Sequence, residues 1–163
     1  MDVEQDETTI PTRRLTGGQI EDPAVFAPIF AEFSAKLYRY AIMHVGSRED
    51  AEDIVANTFV RLLEYGSRYP RSVIDAPQAF LYRIARNLII DGSRRRRPTT
   101  SLEQLSEQGI EFPDEGKMSE EVKVEVALVI SKMGILGIED RDILLLRFVE
   151  DFPLKHIAIL YDI

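Results

Sequence analysis

An all-α protein, two small helical domains joined by a flexible linker, is what the sequence predicts, and three observations predict it. Apolar residues recur every three or four positions through each long segment. No segment alternates apolar and polar residues as a half-buried strand does, and no internal repeat is present. A polar stretch containing Pro98, Gly109, Pro113 and Gly116 separates two such helical clusters. With 163 residues, 45% of them hydrophobic and 29% charged, the chain can bury one ordinary core or two small ones.

Residues 1–20 are polar and acidic, lack the apolar core of a signal peptide, and read as a disordered arm. The first helix follows in "EDPAVFAPIFAEFSAKLYRYAIMHVG": Asp22 can cap it, Pro23 suits the first turn, and Val25, Phe26, Ile29, Phe30, Phe33 and Leu37 share helical spacing up to Gly46. In the second, "SREDAEDIVANTFVRLLEYG", Ser47 and Asp50 form a capping-box pattern. Glu49, Asp50, Glu52 and Asp53 complement the positive end of its dipole. Its apolar stripe is Ala51, Ile54, Val55, Thr58, Phe59 and Leu62, and Gly66 is the expected stop.

The loop "SRYPRSVIDAP" holds two prolines and leads to a third helix opening at Pro77, in which Leu81, Ile84, Ala85 and Leu88 define a buried face. Arg83, Arg86 and Asn87 project from its other side, with Ile90 as an apolar residue among them. Residues 98–118 are the linker. A second helical cluster fills 119–163, through Val122, Val126, Val129, Ile130 and Met133, then Ile143, Leu144, Leu146 and Phe148, then a last helix beginning at Pro153.

The absence of cysteine removes disulfides, thiolate metal sites and cysteine nucleophiles. The two histidines, His44 and His156, stand far apart in sequence, and a packed or surface imidazole accounts for each better than a metal does. No phosphate loop, nucleophile elbow or metal-binding His-Glu helix is found, so neither enzyme activity nor a cofactor, metal or small-molecule substrate is expected. No apolar run reaches membrane-spanning length, no membrane insertion is expected, and the cytoplasm is the expected compartment.

Charge is unevenly distributed. Between Arg71 and Pro98 seven arginines (71, 83, 86 and 94–97) face only Asp75 and Asp91, a net +5, which leaves −13 on the rest of a chain whose overall charge is −8. Four consecutive arginines often form a solvated helix end. Here Arg83 and Arg86 extend the charge upstream as a stripe flanked by Tyr82, a pattern suited to a phosphate backbone. The loop before it, beside Phe80 and Tyr82, is either a plain connector or a seat for an unstacked base; composition does not choose between them.

"SREDAEDIVANTFVRLLEY" followed by "APQAFLYRIARNLIIDGSRRRRP" resembles the second region of bacterial extracytoplasmic-function (ECF) sigma factors, and "IEDRDILLLRFVEDFPLKHIAILYDI" resembles the start of their fourth. The resemblance covers most of residues 22–98 and 122–163. It implies that residues 21–97 form a domain that binds core RNA polymerase and opens the promoter −10 element, and that residues 119–163 form a partial helix-turn-helix domain containing Lys155 and His156. It places Asp50, Glu52, Asp53, Asn57 and Arg61 on the polymerase. It places Phe80, Tyr82, Arg83, Arg86, Asn87, Arg94, Arg95, Arg96 and Arg97 on −10 DNA, and the loop Arg71, Ser72, Val73, Ile74, Asp75 and Ala76 around a flipped base. Core RNA polymerase, promoter DNA and an anti-sigma factor are the implied partners.

The sequence departs from that family at several points. Ala56 and Asn57 stand where a Gln-Glu pair is usual, Ile159 where Glu is common, and Asp162 at the usual glycine of the turn. The chain ends at Ile163, before the recognition helix that would enter the major groove; a natural short form without −35 reading or a truncated product is implied, and the apolar "IAILYDI", expected to stand uncovered, favours truncation. The expected function is transcription initiation. The rival reading is a sigma-like module or decoy that binds polymerase or an anti-sigma factor without promoter activity.

Overall fold

A computed structural model of the protein describes residues 14–45, 47–95 and 135–163, with 119, 121, 124–125, 128 and 132–133 between them. The expected linker 98–118 and most of the helix expected across 119–134 lie outside the described residues. The fold is all-α apart from one two-residue ribbon, and its order is β1 (Leu15–Thr16), α1 (Gly17–Ile20), α2 (Pro23–Val45), α3 (Arg48–Arg68), β2 (Val73–Ile74) and α4 (Pro77–Arg95). After the undescribed stretch come α5 (Ile138–Leu144), a π-helical turn (Leu145–Val149) and α6 (Leu154–Tyr161).

Helices α2, α3 and α4 pack around one apolar cluster that includes Ile29, Phe33, Leu37, Phe59, Leu62, Leu81 and Ala85. The caps act as their residue types dictate: the Asp22 carboxylate accepts from Ala24 N at 2.9 Å, and the Ser47 hydroxyl from Asp50 N at 3.4 Å. Phe30, expected in the buried stripe of α2, is 46% exposed, although its ring lies 4.8 Å from that of Phe59.

Residues 14–20 are not part of a disordered arm. Leu15–Thr16 pairs antiparallel with Val73–Ile74, Gly17 N donates to Ser72 O and Gly18 N to Pro70 O, each at 2.9 Å. Gly66, the expected stop of α3, lies inside that helix and serves this contact instead. A Cβ on it would stand 2.7 Å from Gly17 O, and one on Gly17 would stand 2.2 Å from Tyr69 O. Two glycines let backbone meet backbone, which α3 exploits before ending at Arg68.

The C-terminal helices pack against this unit. Leu146, Phe152, Ile157 and Leu160 join the same apolar cluster as α2–α4, so the inward face of α6, expected to stand uncovered, is covered by α4. Two residues with left-handed backbone shape the region: Asp151 (φ 51°) after the π-helical turn, and Asp162 (φ 55°) at the position expected to need that conformation.

Candidate nucleic-acid and partner interfaces

The outer face of α3 presents one continuous surface. Asp53, Asn57 and Arg61 are exposed at helical spacing, with Asp50 half-buried at the N-terminal end of the stripe and Glu52 paired with Arg48 at 3.2 Å. Asn57 holds its amide by donating to Asp53 O at 2.9 Å. Sequence reasoning missed the apolar part of this surface: Val60 is 50% exposed, Leu63 36% and Phe30 46%. Their signal was available, because Val60 and Leu63 fall outside the stripe that buries Phe59 and Leu62.

The loop between α3 and α4 is half anchored and half open. Ile74 is buried beneath Leu15, and the Ala76 carbonyl accepts from Phe80 N. Arg71, Val73 and Asp75 are exposed, Ser72 is half-buried, and Asp75 pairs with Arg14. Beside the loop, Tyr69, Tyr65 and Phe80 form a run of rings with centroids 5.2 and 4.7 Å apart, and Tyr69 is 49% exposed. Tyr65 and Tyr69, four residues apart at the end of α3, belong with the loop and were not singled out from sequence.

The basic face of α4 is where the structure departs furthest from expectation. Tyr82 is fully buried, between the rings of Tyr40 (5.1 Å) and Phe152 (4.6 Å), and its hydroxyl donates to Glu150 Oε2 at 2.6 Å. Arg83 donates to the Ile159 carbonyl and lies 3.4 Å from Asp162. Arg86 lies 3.3 Å from Asp142 and 3.6 Å from Glu139, with its guanidinium 4.3 Å from the Tyr161 ring centroid. Of the residues expected on DNA, Asn87 is exposed and Phe80 half-buried. Helix α4 runs through Arg94 and Arg95, whose side chains lie outside the description, as do Arg96 and Arg97 entirely. Ile90, one turn beyond Arg86 on the same stripe, is half-buried.

Two buried carboxylates organise this contact. Glu150 receives Arg39 through both nitrogens, at 2.8 and 3.0 Å, together with the Tyr82 hydroxyl. Asp142, 1% exposed, receives the hydroxyls of Tyr40 (2.6 Å) and Tyr161, faces Arg86, and lies 3.2 Å from His44 Nε2. His44 Nδ1 is 2.9 Å from the Tyr40 carbonyl, and Nε2 faces the carboxylate. Burial works to raise the Asp142 pKa, but hydrogen bonds from His44, Tyr161 and Tyr40 outweigh it and hold the carboxyl below its ordinary range. Burial, and then the neighbouring carboxylates, push the Tyr40, Tyr82 and Tyr161 hydroxyls well up, so all three remain donors.

Lys155 is exposed on α6, whereas His156, expected beside it in the helix-turn-helix, is buried and packs edge-on to Phe152 at 6.3 Å. Burial lowers its pKa, which keeps it neutral. Among the described residues no group of three or more His, Asp or Glu could hold a metal, and no helix is long and apolar enough to cross a membrane.

The three long helices thus present an exposed mixed face on α3, an aromatic-edged loop and a basic face on α4. The family model of sigma-70 region 2 matches residues 29–99, spanning α2, α3, the loop and α4. The chain is similar to the ECF RNA polymerase sigma factor SigL of Mycobacterium tuberculosis, 26% identical over 151 residues covering 89% of this chain and 81% of the relative. It is also similar to the ECF RNA polymerase sigma factors BldN of Streptomyces coelicolor (27% identical, 86% of this chain, 53% of the relative) and SigW of Bacillus subtilis (27%, 84% and 77%).

Proposed function

We propose that this protein binds core RNA polymerase through the outer face of α3 and directs it to promoters, where α4 and the preceding loop open the −10 element. The observation that carries the reading is the sigma-70 region 2 match, which falls on a helical unit presenting both surfaces. On α3, Asp50, Glu52, Asp53, Asn57 and Arg61 supply polar contacts around the apolar anchors Val60 and Leu63. Val60 and Leu63 add apolar contact area on the face where Ala56 and Asn57 replace the usual Gln-Glu pair.

At the promoter, a base leaving the duplex loses stacking and regains it on an aromatic face. Tyr69, Tyr65 and Phe80 offer such a face beside Arg71–Ala76, and their ring spacing suits stacking on the outermost member, Tyr69. Arg83, Arg86, Asn87 and the arginines at the end of α4 hold the phosphates. Work on promoters places the protein in the cytoplasm, and an anti-sigma factor would act by covering either surface.

Reconstituted transcription tests the reading. Core polymerase with this chain gives promoter-dependent transcripts, and Arg83→Glu with Arg86→Glu abolishes promoter opening while polymerase binding persists. The decoy reading has one observation in its favour, the engagement of Tyr82, Arg83 and Arg86 by the C-terminal unit. Polymerase binding with no transcript from any promoter would establish it.

A further inference from the structure

The residues proposed to meet −10 phosphates are met in this structure by the protein's own acids. Arg83 faces Asp162, Arg86 faces Asp142 and Glu139, and Tyr82 donates to Glu150. These partners come from three separate stretches of the C-terminal unit: α5, the end of the π-helical turn, and the turn after α6. The contact is built rather than incidental. Asp142 and Glu150 are buried carboxylates whose oxygens are matched to donors from α2 and α4, Arg39 and Tyr40 among them, and Phe152 seats its ring against Tyr82. A carboxylate would not be left so deeply buried without such matching, so the two units fit in one register.

We infer that the C-terminal unit is an acidic cover for the DNA face of α4, closed in the free protein and displaced when the protein joins polymerase and promoter. The cover works by charge substitution: carboxylates stand where phosphates would lie, and Tyr82 and Phe152 exclude water between them. The inference rests on the proposed DNA role of α4. DNA affinity of the free chain is lowered by the fraction of molecules that are open, so releasing the cover raises it without any new DNA contact.

The chain has no cysteine, so nitroxide labels at Glu64→Cys on α3 and Lys155→Cys on α6, both exposed, report the distance between the units in the full protein. The free protein gives one narrow distance distribution, which lengthens when excess single-stranded promoter DNA or core polymerase is added. Asp142→Asn with Glu150→Gln, which keeps the shape and removes the charge, broadens the distribution and tightens binding of a fluorescent single-stranded oligonucleotide by about tenfold or more. If the doubly substituted chain does not fold, the DNA-induced lengthening in the unsubstituted background stands as the test. A broad distribution in the free protein, or one that polymerase and DNA leave unchanged, overturns the cover. A cover that opens in the variant without any gain in DNA binding overturns instead the DNA role of α4, and the two failures are thereby told apart.

Discussion

Tyr82 shows how far a single residue's role depends on what packs against its helix. Its position flanking Arg83 and Arg86 reads as a DNA-facing aromatic, yet it is fully buried and hydrogen-bonded to Glu150. Periodicity assigns faces relative to one core and carries no information about a second surface arriving from residues about 70 positions away. Tyr82→Phe removes one hydroxyl donor and leaves Glu150 with Arg39, so denaturant unfolding should show a loss of about 1 kcal/mol. Arg39→Ala strips Glu150 of its charge partner and should cost about 3 kcal/mol. Asp142 sets a pH dependence. Its folded pKa lies below the ordinary value, so its contribution is fully present above the ordinary carboxylate range and is lost as pH falls through the depressed one. The groups facing it are Arg86, His44, Tyr40 and Tyr161, and Arg86, Tyr40 and Tyr161 keep their protons across that window. Tyrosine fluorescence or amide exchange of α5 and α6 should therefore show the units loosening below about pH 4, while mild alkali leaves them closed.

At the scale of elements, α2, α3 and α4 were legible because caps and period agree: Asp22, Ser47 and Pro77 mark their starts, and Ile29, Phe33, Phe59, Leu62 and Leu81 are buried as spacing requires. The ribbon and α1 were not legible. "LTGGQI" is too short for a period, and its glycines read as freedom when they in fact permit a backbone contact with Gly66 and Tyr69. Gly66→Ala tests this, since its new methyl would stand 2.7 Å from Gly17 O. A loss of about 1–3 kcal/mol in urea unfolding, with earlier amide exchange at Leu15–Thr16, is the expected result. On α3, the apolar anchors were hidden because exposed valine and leucine are common on any helix, and only their position beside Asn57 and Arg61 gives them meaning. Val60→Glu should weaken polymerase binding roughly tenfold or more while leaving thermal stability within about 0.5 kcal/mol.

For the whole molecule, the charge asymmetry acquires a structural sense. A basic helix on an acidic body suits the proposed DNA contact at one place, and the acidic C-terminal unit lies directly across it. The fold class was legible in the sequence, and the region 2 match falls on the segments that carried the resemblance, residues 29–99. The packing of the C-terminal unit on α4 was not, because it depends on buried ion pairs and hydroxyl donors contributed by four helices, and no local pattern records such a contact. Opening of DNA by the polymerase complex is the central claim, and permanganate reactivity of thymines measures it directly. Promoter fragments recovered from the genome with the polymerase-bound chain are mixed with core polymerase and this protein. The account predicts reactive, unpaired thymines in the −10 region that require the protein and disappear with Arg83→Glu and Arg86→Glu. Fragments that remain fully duplex while the protein is bound to polymerase would contradict it.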